Sequence, residues 1–214
     1  MNQIMERIAE TGIIPVVTVD SPEQGVRIMN ALREGGLPAA EITFRTKAAA
    51  ESIRAMKEAC PEALLGAGTV LTIEQVEQAL AAGAAFIVSP GSTKEVMEYC
   101  VEKGVSVIPG CMTPSDIQLA LSCGLEIVKF FPAEAAGGLK LLKAMSAPYP
   151  NVRFMPTGGI SLQNVSQYLS FPKVMCCGGS WITEPAKQGD YKKVAETARE
   201  AVLLVQKIRN EKGA

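Results

Sequence analysis

Residues 63–90 read ALLGAGTVLTIEQVEQALAAGAAFIVSP, and this stretch decides the fold. Its apolar run at 63–70 is typical of a buried strand, and a helical pattern follows at 73–82. Thr72 is a typical N-cap for that helix, and a second apolar run follows at 85–88. The stretch therefore predicts a strand, a helix and a second, parallel strand.

The same unit recurs along the chain. Eight apolar runs start about 20 to 26 residues apart, and helical patterns such as 23–34 and 48–59 lie between them. A last helix is predicted at 191–208, after which residues 210–214 are expected to fray. The eight predicted strands are 13–19, 39–44, 63–70, 85–88, 105–108, 125–131, 152–156 and 174–177.

Eight βα units in a chain of 214 residues favour an α/β fold, the (β/α)8 TIM barrel, here with a short N-terminal helix. An open doubly wound sheet is the competing topology. However, the first strand runs into Val19-Asp20-Ser21-Pro22, and no GxGxxG turn follows it. We therefore expect residues 1–214 to form a single barrel domain.

Composition excludes several classes of function. The chain has no histidine, which removes Ser-His-Asp and Cys-His nucleophiles, histidine-bound zinc and histidine general bases. Its 21 basic and 22 acidic residues nearly balance, so we expect neither nucleic acid nor a membrane surface as a partner. The six cysteines form no CxxC pair and are expected to be small buried side chains in a reducing compartment. The sequence shows no signal peptide and no apolar stretch of membrane length, which predicts a cytoplasmic protein.

The second predicted strand carries its polar residues on one face. Side chains alternate across a strand, so Glu41, Thr43 and Arg45 share the face opposite Ala40 and Ile42. Because the apolar face suits the surrounding helices, we expect the acid, the hydroxyl and the base to point into the barrel lumen. A buried Glu–Arg pair that only satisfies itself is the alternative to a functional site.

Lys129 differs from the other lysines because two apolar residues flank it on each side within a predicted strand. Lys173, its nearest rival, lies at the start of a strand, which is the wrong end for a barrel active site. A low-dielectric lumen favours the neutral amine, which can attack a ketone to form a carbinolamine and then an iminium. A carboxylate such as Glu41 can move the protons. A plain Lys129–Glu41 ion pair is the alternative.

Glycine pairs follow the last two predicted strands, in Thr157-Gly158-Gly159 and Gly178-Gly179-Ser180. Barrels commonly bind phosphate at this position, where backbone N–H groups and a helix N-terminus meet a dianion. Turns favour glycine in any case, so one pair alone is a weak signal. Two pairs on adjacent strands predict a phosphate site more specifically.

Six segments, in order, resemble the aldolases of 2-keto-3-deoxy-6-phosphogluconate (KDPG), a family that also includes aldolases of 4-hydroxy-2-oxoglutarate (KHG). The resemblance covers the chain from about residue 13 to residue 181 and continues through the last helix. It implies a metal-free class I aldolase on a (β/α)8 barrel, without a cofactor and usually a homotrimer. The segments are EITFRT at 41–46, GAGTV at 66–70, SPG at 89–91, VKFFPAE at 128–134, PTGGI at 156–160 and GGSW at 178–181.

The resemblance also implies roles for individual residues. Lys129 is expected to form the Schiff base with pyruvate or the keto acid, and Glu41 to act as the general acid and base. The substrate carboxylate is expected at Arg45 and Thr69, and stereochemical choice at Thr157 and Ser180. The full set of expected substrate-binding residues is Arg45, Thr69, Pro90, Phe131, Thr157, Gly158, Gly159, Gly178, Gly179 and Ser180, with the four glycines at the phosphate and Phe131 near the reacting carbons.

The expected reaction is cleavage of KDPG to pyruvate and glyceraldehyde 3-phosphate, extending to cleavage of KHG to pyruvate and glyoxylate. An aldolase for the 6-phosphogalactonate epimer is one alternative, and a phosphate-binding barrel isomerase or synthase is another. A non-catalytic sugar-phosphate sensor is a third. The chain departs from the family at 18–20, where a basic side chain is missing, and at Cys111 and Met112. The first departure implies either a weaker grip on phosphate or a preference for a substrate with a different tail.

Overall fold

A closed ring of short parallel strands forms the centre of the computed structural model, which describes residues 2–213. Six strands follow the order β5-β4-β3-β2-β1-β9, and three more follow the order β6-β7-β8. A bridge from Thr157 to Gly178 joins the two groups on one side. The strands are β1 (Ile13–Val17), β2 (Ala39–Thr43), β3 (Leu64–Gly68), β4 (Phe86–Val88), β5 (Ser106–Ile108), β6 (Gly110–Cys111), β7 (Ile127–Phe130), β8 (Arg153–Pro156) and β9 (Cys177–Gly179).

Helices surround this ring, which confirms the predicted (β/α)8 barrel with a short N-terminal helix. Ser21, Thr72 and Thr113 cap their helices as the sequence indicates, each side chain accepting a hydrogen bond from a backbone N–H three residues later. The helices are α1 (Gln3–Thr11), α2 (Pro22–Glu34), α3 (Ala49–Ala59), α4 (Ile73–Ala81), α5 (Lys94–Glu102), α6 (Pro114–Ser122), α7 (Ala133–Ala136), α8 (Gly138–Ser146), α9 (Val165–Ser170) and α10 (Tyr191–Gly213), with a 3₁₀ helix at Glu184–Gln188.

Two apolar clusters hold the barrel together. The larger one lies between the strands and the surrounding helices. The smaller one fills the lower part of the lumen, where Leu64, Phe86 and Met155 pack against Met5 and Ile8 of α1. α1 therefore closes the amino-terminal end of the barrel, and polar chemistry is left to the carboxyl-terminal end.

One predicted strand, 105–108, continues beyond its predicted end as two segments, β5 and β6. Pro109 separates them because proline has no N–H to donate to a neighbouring strand. Its carbonyl still accepts a hydrogen bond from the Lys129 N–H at 2.8 Å. The barrel wall is therefore continuous beside Lys129.

The last barrel strand is shifted from its predicted place. The run 174–177 is predicted to be a strand, but β9 begins only at Cys177. Gly178 and Gly179, predicted to lie in a turn after the strand, are in the strand itself and pair with β1. Because these residues have no side chain, β9 can pass close to Thr157.

The last helix is longer than predicted. α10 reaches Gly213 and so passes the predicted end at 208, and Ala214 lies outside the described residues. The guanidinium of Arg209 donates to the carbonyl of Ala9 and so holds the end of α10 against α1. None of the helices within residues 2–213 combines the length and the apolar composition that a membrane span requires.

We expect the cap of α6 to contribute pH-dependent stability. Burial raises the pKa of Asp116, but the hydrogen bonds that its carboxylate accepts from the Met112 and Thr113 N–H groups outweigh this and hold the pKa below the ordinary 3.8. A lowered folded-state pKa stabilises the fold above the ordinary pKa, and this contribution is lost as the pH falls through the folded value. Asp116→Ala should therefore cost about 1 kcal/mol of unfolding free energy at pH 7 and progressively less below pH 3.8.

Urea unfolding at equal protein concentration and at several pH values measures this difference. Ser115→Ala, an exposed change in the same helical turn, is the control and should leave the unfolding midpoint unchanged. A cost for Asp116→Ala that stays constant down to pH 2.5 would contradict the assigned role of the charge.

Candidate active site

A buried ion pair lies inside the barrel. Lys129 on β7 is 5% exposed and Glu41 on β2 is fully buried, and Nζ of Lys129 lies 3.4 Å from Oε1 of Glu41. Among the side chains that the structure describes, these two are the only charged ones in the buried class. The hypothesis that Glu41 and an amine meet in the lumen is thus confirmed, with Lys129 and not Arg45 as the partner of the acid.

Glu41 depends on a glycine for its place. A Cβ on Gly68 of β3, in register with Thr43 of β2, would lie only 2.1 Å from Oε1 of Glu41. The carboxylate therefore occupies the space that a side chain at this position would fill. Its second oxygen, Oε2, is buried and accepts no hydrogen bond from any residue within 2–213, so it is free to accept a proton.

Thr69, the next residue, has a left-handed backbone conformation with φ of +58°, which is uncommon outside glycine and asparagine. Its hydroxyl accepts a hydrogen bond from Nε of Arg45 at 3.3 Å. Arg45 itself is exposed and lies beyond the end of β2, so the prediction that it points into the lumen is wrong. The strand ends at Thr43, and the turn that follows directs Arg45 to the rim of the barrel.

A cavity of about 240 Å³ opens at the carboxyl-terminal end of the strands, and neither Lys129 nor Glu41 is among the residues that line it. Phe131, which follows β7, lines the cavity, and Nζ of Lys129 lies 5.1 Å from the centre of its ring. Eight of the expected substrate-binding residues line the cavity together: Arg45, Phe131, Thr157, Gly158, Gly159, Gly178, Gly179 and Ser180.

The loop after β8 fits closely against the loop after β7. Gly158 and Gly159 have φ of +97° and +78°, which side-chain-bearing residues rarely adopt. A Cβ on Gly159 would also lie 2.6 Å from Cβ of Glu134, and the Glu134 N–H donates to the Gly158 carbonyl at 3.0 Å. Glu134 in turn accepts a hydrogen bond from the buried Tyr168 hydroxyl. These contacts hold a glycine-lined wall in one conformation.

The wall formed by β9 is equally tight. A Cβ on Gly178 would lie 2.4 Å from Oγ1 of Thr157, and one on Gly179 would overlap the ring of Trp181. Thr157 is buried, whereas Ser180 is exposed at the mouth of the cavity. Any ligand here meets backbone on two sides, which suits an anion that accepts hydrogen bonds from N–H groups.

Two of the expected substrate-binding residues, Thr69 and Pro90, do not line the cavity. Thr69 reaches it through its contact with Arg45. Gly110 lies between Pro90 and Lys129. It pairs with Lys129 across the sheet, and a Cβ on Gly110 would lie 2.2 Å from the Pro90 carbonyl oxygen. The geometry thus brings Pro90 towards Lys129 and away from the glycine-lined end.

Sequence reasoning missed several residues that line the cavity. Thr18, Gln24, Glu184 and Lys187 are among them. Thr18 follows β1, where the resemblance noted only the lack of a basic side chain. The other three lie on helical segments after β1 and β9, and no motif in the chain marks them.

Cys111 and Met112, the two positions after β5 at which the chain departs from the family, do not line the cavity. Cys111 is buried, and burial, with a smaller opposing effect of the hydrogen bond to Ser92, raises the pKa of its thiol to about 12. The thiol is therefore protonated at neutral pH and is not a nucleophile. Met112 is 45% exposed and is not part of the cavity lining. Among residues 2–213, no three Cys, Asp or Glu side chains form a set that could hold a metal ion.

Comparisons with known proteins agree with this geometry. A 2-dehydro-3-deoxy-phosphogluconate aldolase of Treponema pallidum is 45% identical over 96% of this chain and 99% of its own. A KHG/KDPG aldolase of Escherichia coli is 44% identical over 92% of this chain and 94% of its own. The KDPG aldolase of Legionella pneumophila, crystallised with pyruvate captured at low pH as a covalent carbinolamine, is 37% identical with a TM-score of 0.89, covering 94% of this chain and 98% of its own.

The sequence pattern of one protein family, described as KDPG and KHG aldolase, matches residues 4–197. This match extends over both residues of the buried ion pair and over all the glycines that line the cavity. Since the pattern covers most of the chain and close relatives cover nearly all of it, the chain belongs to the KDPG and KHG aldolase family.

Proposed function

We propose that this protein is a class I aldolase, a carbon–carbon lyase that cleaves KDPG to pyruvate and glyceraldehyde 3-phosphate. The observation that carries the proposal is the amine of Lys129, buried beside Glu41 and 5.1 Å from the centre of the Phe131 ring, which lines the cavity. Relatives named for KDPG, and one with pyruvate bound as a covalent carbinolamine, support it. The relatives named for both KHG and KDPG support KHG, cleaved to pyruvate and glyoxylate, as a second substrate.

The first steps build an electron sink on Lys129. Glu41 takes a proton from the ammonium of Lys129, and the freed amine attacks C2 of the keto acid. The resulting carbinolamine loses its hydroxyl group as water and becomes an iminium. Glu41, 3.4 Å away through Oε1, donates and accepts the protons that these steps require. Its free Oε2 is the oxygen that we assign to exchange with the substrate.

Cleavage uses the same pair of residues. The C4 hydroxyl gives up its proton to a base, the C3–C4 bond breaks, and C4 leaves as the aldehyde. The bonding electrons form a C2–C3 double bond while the iminium nitrogen becomes neutral, so an enamine of pyruvate remains on Lys129. Protonation at C3 and hydrolysis then release pyruvate and restore the amine. We assign the proton transfers to Glu41, the one buried carboxylate beside Lys129 in the described part of the chain.

Substrate binding follows from the two ends of the cavity. We assign the C1 carboxylate to Arg45 and Thr69, whose side chains already contact each other, because a guanidinium fork orients a carboxylate as well as attracting it. Phe131 is proposed to lie near the reacting carbons, and Pro90 to line the pocket of the carboxylate. The phosphate is assigned to the backbone of the four cavity glycines, and the hydroxyl configuration to Thr157 and Ser180.

Assembly and location are proposed on separate grounds. We assign residues 1–214 to one barrel domain that assembles as a homotrimer, as the family resemblance implies. The six cysteines are all free, which supports a cytoplasmic location.

Lys129→Ala should abolish cleavage of KDPG, because no amine is left to form the iminium. The barrel should stay folded but become less stable, because removing one partner of a buried pair typically costs about 3 to 5 kcal/mol. Incubation of the unaltered protein with pyruvate and borohydride should leave a reduced adduct on Lys129, located by mass spectrometry of peptides. Lys94→Ala, which removes an exposed ion-paired lysine, is the matched control and should keep both the adduct and the activity.

A folded, unaltered protein that forms no borohydride adduct on Lys129 would overturn the aldolase proposal. Lys129→Arg is the second variant in case the alanine variant folds poorly. It keeps a cation beside Glu41 but cannot form a Schiff base, since a guanidinium does not lose its proton in proteins. Turnover by Lys129→Arg would equally count against the covalent mechanism.

Glu41→Gln should retain pyruvate binding and slow turnover of KDPG by about 10²-fold or more, as is usual when a general acid and base is removed. Steady-state kinetics give the rate, and calorimetric titration with pyruvate gives the binding. Glu98→Gln, which breaks the exposed pair with Lys94, is the control. Full activity of Glu41→Gln would mean that another group moves the protons.

Gly68→Ala should lower kcat by about 10²-fold, because the new methyl group would displace Glu41 from its place beside Lys129. The control is Gly91→Ala, since no atom lies within 4 Å of a Cβ there. Circular dichroism checks that both variants fold. If Gly68→Ala folds and turns over like Gly91→Ala, the position of Glu41 is not critical for catalysis.

A further inference from the structure

The cavity carries two cationic side chains, and the proposed function uses only one of them. Arg45 and Lys187 are the cations among the residues that line the cavity. Arg45 is assigned to the C1 carboxylate, and the Lys129–Glu41 pair below is neutral as a whole. The phosphate, which carries up to two negative charges, is left with backbone N–H groups that have no net charge.

Lys187 lies where it can supply that charge. Residues 184–188 form a 3₁₀ helix directly after the segment that contains Ser180. Side chains three residues apart eclipse each other in such a helix, and Nζ of Lys187 lies 2.9 Å from Oε1 of Glu184. Both residues line the cavity together with Gly178 and Gly179. Both are also largely exposed, at 70% and 58%, so the lysine is free to move onto a ligand.

We propose that Lys187 binds the phosphate of the substrate and that Glu184 competes for it in the free enzyme. This inference rests on the proposed function for the identity of the ligand. It makes Lys187 a specificity residue for phosphorylated substrates, and it supplies the positive charge that is missing after β1, where Thr18 lines the cavity. Lys187 takes no part in the bond-breaking steps.

The proposal is tested by the direction in which two substitutions change the KM for KDPG. Lys187→Gln should raise the KM for KDPG about 3- to 10-fold with little change in kcat, the size expected for one exposed charge contact with phosphate. Glu184→Gln should lower that KM, because it frees the lysine and removes a like charge. A merely structural ion pair would respond in the same direction to either loss. Lys187→Arg should restore the KM.

The same keto acid without its phosphate is the reference substrate, and its kinetics should be unchanged in Lys187→Gln. Lys193→Gln is the matched control, since Lys193 forms an exposed pair with Glu196 at the same spacing, outside the cavity. Calorimetric titration with glycerol 3-phosphate measures anion binding without turnover. There Lys187→Gln should raise Kd by a similar factor.

The two readouts separate the two claims. If the unaltered protein cleaves no KDPG but binds glycerol 3-phosphate in a Lys187-dependent way, the proposed function fails and the role of Lys187 stands. If the unaltered protein cleaves KDPG and Lys187→Gln changes neither KM nor Kd, the assignment of Lys187 is overturned. Equal effects of Lys187→Gln and Glu184→Gln would overturn it as well.

Discussion

The rest of the site depends on one pair of opposite charges held out of water, Lys129 and Glu41. Either charge alone would be strongly unfavourable in this position, and removing one partner of a buried pair typically costs about 3 to 5 kcal/mol. The barrel accepts the pair because each side chain finds the other at 3.4 Å across the lumen. Glu41 is also the group that can take a proton from Lys129 and free its amine for a ketone, so one arrangement serves both the fold and the proposed chemistry.

The pair lies between two different parts of the barrel lumen. Below it the lumen is filled by apolar side chains and closed by α1, so water and substrate can approach only from the carboxyl-terminal end. Above it the walls are built from glycines whose missing side chains leave room for the backbone and for Glu41. Large residues at the bottom and small ones at the top therefore divide the lumen into a packed half and a reactive half.

The two ends of the cavity differ in how they hold charge. Arg45 at one rim is held by Thr69, a residue in a strained backbone conformation, which gives the guanidinium a defined position. At the other rim Lys187 is exposed and shared with Glu184. A fixed cation near the reacting carbons and an adjustable one at the far end fit a substrate whose head must be aligned and whose tail need only be retained.

The local sequence pattern was enough to predict the alternation of strands and helices, and with it the barrel. Apolar periodicity and capping residues can be recognised within a single segment of the chain. It was also enough to single out Lys129 and Glu41, since a charge inside an apolar strand has no local explanation. The position of Arg45 and the start of β9 could not be predicted this way. Both depend on where the backbone hydrogen bonds to the neighbouring strand end, and this cannot be read from one segment without its partner.

Gly68, Gly178 and Lys187 show what only the tertiary structure decided. Nothing around Gly68 in the chain distinguishes it from a glycine in any strand, yet across the barrel its missing side chain is the space that Glu41 occupies. Gly178 likewise makes room for Thr157, and Lys187 reaches the cavity only because a short helix folds back over β9. The sequence alone determined the alternation of strands and helices, and it singled out Lys129 and Glu41 as charges inside the barrel. The tertiary structure decided which of them meet, because close packing between residues far apart in the chain leaves no trace in either segment alone.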